Sequence, residues 1–310
     1  MSEIQIGDRP VEDMSDGELL GWMYAVNEKH GGNRLQRKTA ALWLAAMRLL
    51  DRDGVPTTTR HLFYGLEGLG YVRKTEAGYN SVGYHVLQMR RRGVIPYGFI
   101  ADNTRQRRKP ATFGSLDAYL NYGAQAYRRA LWATEADYVE VWTEKDAIAG
   151  VLSTVTVEWD VPLLVVRGFV SETFVYEAAD EIKAQTERGK RAHLYYFGDW
   201  DPSGLAISAD IERKLKGFGA AFTFTRLAVT PEQIEQLRLP TRPPKPKDSR
   251  GKHWAGECVE VDAIPSRTLR ELCEAAILAH IDREKVDRLR KTEEVERESL
   301  AEMAFYAAEL

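Results

Sequence analysis

Cysteine is nearly absent: the 310 residues hold two, Cys258 and Cys273. They have neither Cys-x-x-Cys spacing nor the density of a stapled scaffold, which excludes a disulfide-held fold and fits a reducing, cytoplasmic setting. The set His253, Cys258, Cys273 and His280 is too irregularly spaced to read as a zinc finger. No segment has the length and apolarity of a membrane span, since the most apolar helical stretch, Ala40 to Leu50, is short and carries Arg48. The start, Met1-Ser2-Glu3-Ile4, lacks the basic region and apolar core of a secretory signal, so none is expected. There is no internal repeat. A Walker nucleotide loop is missing too, because Gly31-Gly32-Asn33-Arg34-Leu35-Gln36-Arg37-Lys38-Thr39 lacks the required spacing.

What remains is ordinary globular composition, 44% apolar and 29% charged, in a chain long enough for two domains. The formal net charge of −3 does not announce a polyanion partner. Its distribution is more informative. From Arg73 to Lys109 there are nine basic residues, Arg73, Lys74, Arg90, Arg91, Arg92, Arg105, Arg107, Arg108 and Lys109, against two acids, Glu76 and Asp102. That block is a candidate nucleic-acid face.

The run Tyr195-Tyr196-Phe197-Gly198-Asp199-Trp200-Asp201-Pro202-Ser203-Gly204 reads as an aromatic strand ending at two carboxylates held by a Pro/Gly turn. Residues two apart in extended chain share a face, so Asp199 and Asp201 are placed to converge on one cation. Hard oxygen ligands suit Mg²⁺. Upstream, Tyr138-Val139-Glu140-Val141-Trp142-Thr143-Glu144 is an alternating strand ending in a third carboxylate, followed by a helical pattern from Ala147 to Val155. Strand C-termini of a parallel α/β sheet share one edge, where ligands bind, which brings Glu144 to Asp199 and Asp201. Leu163 to Ser171 reads as another strand turning into a helix from Glu172; further along come a helix from Leu205 to Leu215 and strands from Ala221 to Val229 and Val259 to Ala263. The proline-broken, basic stretch Leu239 to Lys252 is an exposed loop. The end of the chain, from Glu293, is an acidic amphipathic helix suited to packing or dimerisation.

The first half reads as helices. Residues 1–34 form a polar arm with one short helix, and helices over Leu35–Leu50, Arg60–Leu69 and Tyr79–Arg92 follow, with Thr57, Thr58 and Thr59 as caps and Gly93 as terminator. Val94 to Ile100 completes the pattern as a strand. Three helices, a basic third helix and a strand describe a winged-helix DNA binder. Residues 113–136 form a helical linker whose Tyr119, Tyr122 and Tyr127 are expected to pack the two domains together.

Strand-Glu followed by strand-Asp-x-Asp-Pro-x-Gly resembles the Toprim domain of topoisomerases, primases and related nucleases. The resemblance implies Glu144 as a proton-transfer or metal-positioning carboxylate and Asp199 and Asp201 as Mg²⁺ ligands. Before it, Thr59-Arg60-His61-Leu62-Phe63-Tyr64-Gly65-Leu66 resembles the catalytic motif of the topoisomerase VI A subunit and the related meiotic double-strand-break transesterase. Leu227-Ala228-Val229-Thr230-Pro231-Glu232-Gln233-Ile234 is similar to A-subunit sequences as well. That resemblance implies Tyr64 as the nucleophile, with Arg60, one helical turn earlier, on the scissile phosphate. Without an ATP-binding loop the chain looks like a compact, stand-alone mini-A protein. The expected architecture is α/β: an α+β winged helix over 35–112, then a Toprim domain over 137–310, a mostly parallel sheet flanked by helices with a helical C-terminal extension. The implied activity is Mg²⁺-dependent cleavage of double-stranded DNA through a 5′-phosphotyrosyl link, in a nucleoid-associated homodimer. The tyrosine of one protomer would face the metal site of the other, and an ATP-binding B-type subunit could act in trans. The alternatives are a Toprim nuclease using water, with Tyr64 structural, and a non-enzymatic DNA-binding dimer.

Overall fold

The computed structural model describes residues 4–6, 8–53, 56–100, 110–243, 254 and 256–308. Its C-terminal part is built on a four-stranded, wholly parallel sheet of order β4-β3-β5-β6, with β3 at Asp137–Thr143, β4 at Leu163–Val165, β5 at Arg191–Phe197 and β6 at Thr223–Ala228. All seven residues of β3 are buried, as befits a strand covered on both faces. The side-chain alternation of period two sorts it cleanly. Val139 and Val141 join one core with helices α6 (Asp146–Glu158) and α10 (Ser266–Leu278). Tyr138 and Trp142 join the opposite core with α7 (Glu172–Glu187) and α8 (Pro202–Gly217). Helix α9 (Pro231–Gln236) follows β6 behind a capping box of Thr230 and Gln233.

The N-terminal part is helical. A two-residue hairpin, β1 (Gln5–Ile6) with β2 (Arg9–Pro10), leads into α1 (Asp16–Lys29), α2 (Arg37–Asp53), α3 (Thr59–Gly68) and α4 (Glu76–Arg91). Caps from Ser15, Thr58 and Thr75 start three of these helices, and Gly93, with φ +70°, follows the fourth. The described residues of the polar arm pack onto the helical core. Ile4, Val11, Leu19 and Met23 are buried in the same core as Trp43, Met47, Leu66 and Met89, and Arg48 donates to the backbone oxygens of Val11 and Met14.

The expected strand Val94–Ile100 does not form. Val94 and Ile95 are buried, but Pro96 starts a 3-10 turn over Tyr97–Phe99 and only a single bridge joins Ile100 to Thr57; a residue without an N–H and with fixed φ favours the turn over a ladder. The helices and this bridge do not establish a winged helix, and residues 101–109 lie outside the described residues. Val259–Ala263 differs similarly, forming one antiparallel bridge between Val259 and Trp200 followed by a 3-10 turn over Val261–Ala263. The linker is helical only as α5 (Leu116–Ala126), which packs on α11 (Arg283–Ala307). Tyr127 Oη donates to Glu296 Oε2 at 2.8 Å, while Tyr119 and Tyr122 are exposed. These tyrosines therefore do not join the two parts. The junction is made elsewhere: Thr57 Oγ1 and Ser266 Oγ share a buried 2.7 Å hydrogen bond, and Arg270 on α10 donates to the backbone oxygens of Asp53 and Pro56.

Candidate active site

Strands β3 and β5 end side by side, with Thr143 opposite Phe197, so the next residues of each meet at one edge of the sheet. Glu144 Oε1 accepts from the Asp199 backbone N–H at 3.0 Å and Oε2 from Tyr196 Oη at 3.2 Å. Gly198 is required between them: a Cβ there would lie 2.5 Å from Tyr196 Cε1 and 3.0 Å from Glu144 Oε2. Burial, and then the neighbouring Asp199, push the Glu144 carboxyl up to about 7. Asp199 is also pushed up by burial, although Lys145 opposes the shift.

Asp201 caps α8, accepting from the Gly204 N–H at 2.8 Å with Pro202 in the first turn. Its other oxygen accepts from Arg242 Nη2 at 3.1 Å. Gly204 allows the helix to start this close, since a Cβ would fall 2.4 Å from the Asp199 carbonyl oxygen. The half-buried fork of Arg226 pins the turn by donating to the carbonyls of Gly198, Asp199 and Gly204 and to Ser208 Oγ at 2.8–3.2 Å. Trp200, between the two acids, turns back into the core and pairs with Val259.

The group between the carboxylates is one that sequence reasoning passed over. Lys145 Nζ lies 2.7 Å from Asp199 Oδ1, 2.7 Å from Asp262 Oδ2 and 3.4 Å from Glu260 Oε2. Burial alone would lower its pKa, but these acids more than reverse the effect and raise it. Glu260 and Asp262 arrive from the turn after Val259, which is held in place because the Val261 N–H donates to Asp199 Oδ1 at 2.9 Å. Glu260 is also 3.4 Å from Arg242 Nε. Despite burial, the cations Lys145 and Arg60 hold it down to about 2. The alternation Val259-Glu260-Val261-Asp262, with both acids on one side, was the available signal.

Helix α3 completes the site within the same chain. Arg60 pairs with Glu260, and its Nε is 3.3 Å from Asp262 Oδ2. Tyr64, one turn on, lines a cavity with Asp262, and Lys74 Nζ stands 5.2 Å from its ring centroid. That cavity, of about 290 Å³, is lined by Tyr64, His61, Leu239 and Asp262 among others. Burial, then Glu260, push the phenol up to about 12, more than Arg60 pulls it down. The positive charge expected to activate Tyr64 is thus largely committed to the acids. His61 is buried, bonded to Thr58 Oγ1 at 2.9 Å, and lines the same cavity.

The predicted basic face is divided. Arg73 and Arg91 are exposed. Arg90 donates to the Tyr97 carbonyl at 3.0 Å and stacks 4.4 Å over its ring, and Arg92 donates to Asn27 Oδ1 at 3.1 Å, so both serve the fold. Arg105, Arg107, Arg108, Lys109 and most of the basic loop after Pro243 lie outside the described residues, as does His253.

A hard divalent cation fits the donor set. Buried Asp199 and Asp262 and half-buried Glu260 already collect one cation, Lys145, with buried Glu144 next to Asp199, and Asp262 Oδ1 is buried with no hydrogen-bond partner. Among the described residues, however, the one group of three ligand-type side chains within 4.8 Å of one another is Asp137, His193 and His280, at the other end of the strands. Glu144, Asp199 and Asp201 share an edge without closing to that degree, and no set of described residues that includes Glu260 or Asp262 closes to it either. Cys258 and Cys273 are buried, and burial pushes the Cys273 thiol up to about 12. No protein-family model, curated protein or solved structure matches the chain. No described helix is long and apolar enough to cross a membrane.

Proposed function

We propose that the chain is a Mg²⁺-dependent DNA-cleaving transesterase of the topoisomerase VI A-subunit type, its parallel sheet a Toprim domain and its helical part the DNA-binding unit. One observation carries the reading: on α3 an arginine pairs with Glu260 and Asp262 beside the carboxylate edge, and a tyrosine one helical turn on shares a cavity with Asp262.

In this reading Tyr64 Oη attacks a backbone phosphorus, forming a phosphotyrosyl bond to the 5′ side and releasing a deoxyribose 3′-hydroxyl. The phenolic proton leaves to solvent as the bond forms, because Glu260, held down to about 2 by Lys145 and Arg60, is too weak a base to take it. Arg60 turns from the acids to the phosphate once DNA brings a stronger anion, a site for which its planar fork is suited. Glu144, Asp199 and Asp262 would hold Mg²⁺, which when bound offsets negative charge on the phosphate and leaving oxygen. The resemblance places the tyrosine of one protomer against the metal site of its partner. Tyr64 also stands beside its own chain's Asp262, and cutting both strands of a duplex requires two protomers.

A hydrolytic reading, with water as the nucleophile, is favoured by the phenol's upward shift to about 12. The test is end-labelled duplex DNA with Mg²⁺, quenched with denaturant and run with and without protease. Cleaved strands that enter the gel only after protease, and that vanish in Tyr64→Phe, support transesterification. Strands indifferent to protease and to Tyr64→Phe mean hydrolysis.

A further inference from the structure

We infer that Asp137, His193 and His280 form a second metal site, selective for a borderline divalent cation of the Zn²⁺ class and structural in role. It stands apart from the acid edge: Asp137 opens β3 while Glu144 follows its last residue, so the seven-residue strand separates them by roughly 20 Å at about 3.3 Å per residue. Two imidazoles and one carboxylate favour Zn²⁺ over Mg²⁺, which prefers all-oxygen shells.

The ligand atoms lie within 4.8 Å of one another, within reach of one cation. Bonds of about 2.0–2.2 Å to a tetrahedral Zn²⁺ imply ligand-to-ligand edges of about 3.3–3.6 Å. His193 Nε2 lies 3.5 Å from Asp137 Oδ1, and His280 Nδ1 lies 2.9 Å from Asp137 Oδ2. The second distance is a hydrogen bond whose proton the cation would replace. His193 Nε2 is itself buried with no hydrogen-bond partner, a state that costs stability until something supplies the missing contact.

The surroundings meet the needs of such a site. Tyr195 Oη is 2.7 Å from His280 Nε2. A hydroxyl either donates or accepts, so Tyr195 supports the Nδ1–H tautomer without metal and the Nε2–H tautomer with it, the outer support that ligating histidines need. Arg191 Nε donates to Asp137 Oδ1 at 2.6 Å from a mostly exposed side chain, a pairing weak enough to yield. His280 lies between α10 and α11, and Asp137 and His193 lie on β3 and β5. The cation therefore ties the helical extension to the sheet.

Calorimetric titration of the chelator-stripped full chain with Zn²⁺ tests this, alongside His193→Gln and Asp199→Asn. His193→Gln removes no Nε2 hydrogen bond, so it leaves the metal-free fold intact, as unfolding curves without metal will verify. The expected result is one Zn²⁺ per chain, unchanged in Asp199→Asn and at least tenfold weaker in His193→Gln. Absence of saturable uptake, equal affinity in His193→Gln, or loss in Asp199→Asn alone would overturn the assignment. None of these readings depends on DNA cleavage.

Discussion

Lys145 holds its ammonium 2.7 Å from Asp199 Oδ1, where an internal cation stands among carboxylates suited to a metal. Removing it strips buried Asp199 of its counter-charge and leaves Asp262 with Arg60 alone. Lys145→Met is expected to lose about 2–4 kcal/mol of metal-free stability, somewhat less than for a fully buried pair, and to show a larger Mg²⁺-induced stabilisation than the parent. Urea unfolding with and without Mg²⁺ measures both, and equal Mg²⁺ effects in the two proteins would remove the competition between lysine and metal.

Gly198→Ala places a methyl against Tyr196 and Glu144. Relief of that overlap is expected to cost about 1–3 kcal/mol and to swing Glu144 away from Asp199, so Mg²⁺-induced stabilisation shrinks while Zn²⁺ uptake persists. A variant with the parent's Mg²⁺ response would show that Glu144 is not needed at the site.

Glu140 is 2% exposed, with Tyr138 Oη and Trp142 Nε1 each donating to it at 2.7 Å. Burial raises its pKa although both donors oppose the change. The native state thus binds the proton more tightly than the unfolded chain, and this group's effect on stability worsens as pH rises from about 4.5 through the raised native value. Glu140→Gln keeps the shape, and Tyr138 can accept from the new amide. Its stability difference between pH 5 and pH 8 is expected to be smaller than the parent's; an unchanged difference, read from unfolding curves, would assign the slope to other groups.

Arg91 and Arg90 are neighbours with separate roles. Arg91→Ala is expected to leave stability within about 0.5 kcal/mol and, if it meets one phosphate, to lower the salt slope of DNA binding by roughly 0.9. Arg90→Ala is expected to cost about 1 kcal/mol through its lost bond to the Tyr97 carbonyl. Fluorescence anisotropy across salt, paired with unfolding curves, separates the two. A slope that Arg91→Ala leaves unaltered would exclude this face from docking.

Much of the fold was legible because its signals are local. The apolar alternation before Glu144, the aromatic run before Asp199, the threonine and serine caps and the helical spacing in α2, α3 and α6 depend on neighbours within a few residues. The misses share another cause. Pro96 and the bridge at Val259 turned two expected strands into turns, and whether an apolar run finds a ladder partner is not written in the run itself. Residues 1–34 read as polar because α1 buries only a narrow stripe including Leu19 and Met23.

The site divides in the same way. By itself the sequence determined that Glu144, Asp199 and Asp201 follow strands and that Arg60 and Tyr64 share a helix face, because strand and helix periods place side chains over short spans. Only the tertiary structure decided that Lys145, Glu260 and Asp262 occupy the centre, that Tyr64 stands beside its own chain's Asp262, and that Asp137, His193 and His280 converge. Those groups come from segments up to about two hundred residues apart, and their meeting depends on which faces the two cores bury. The same burial shifts Glu144 and Tyr64 upward, since removing water penalises charge wherever no fixed partner replaces it.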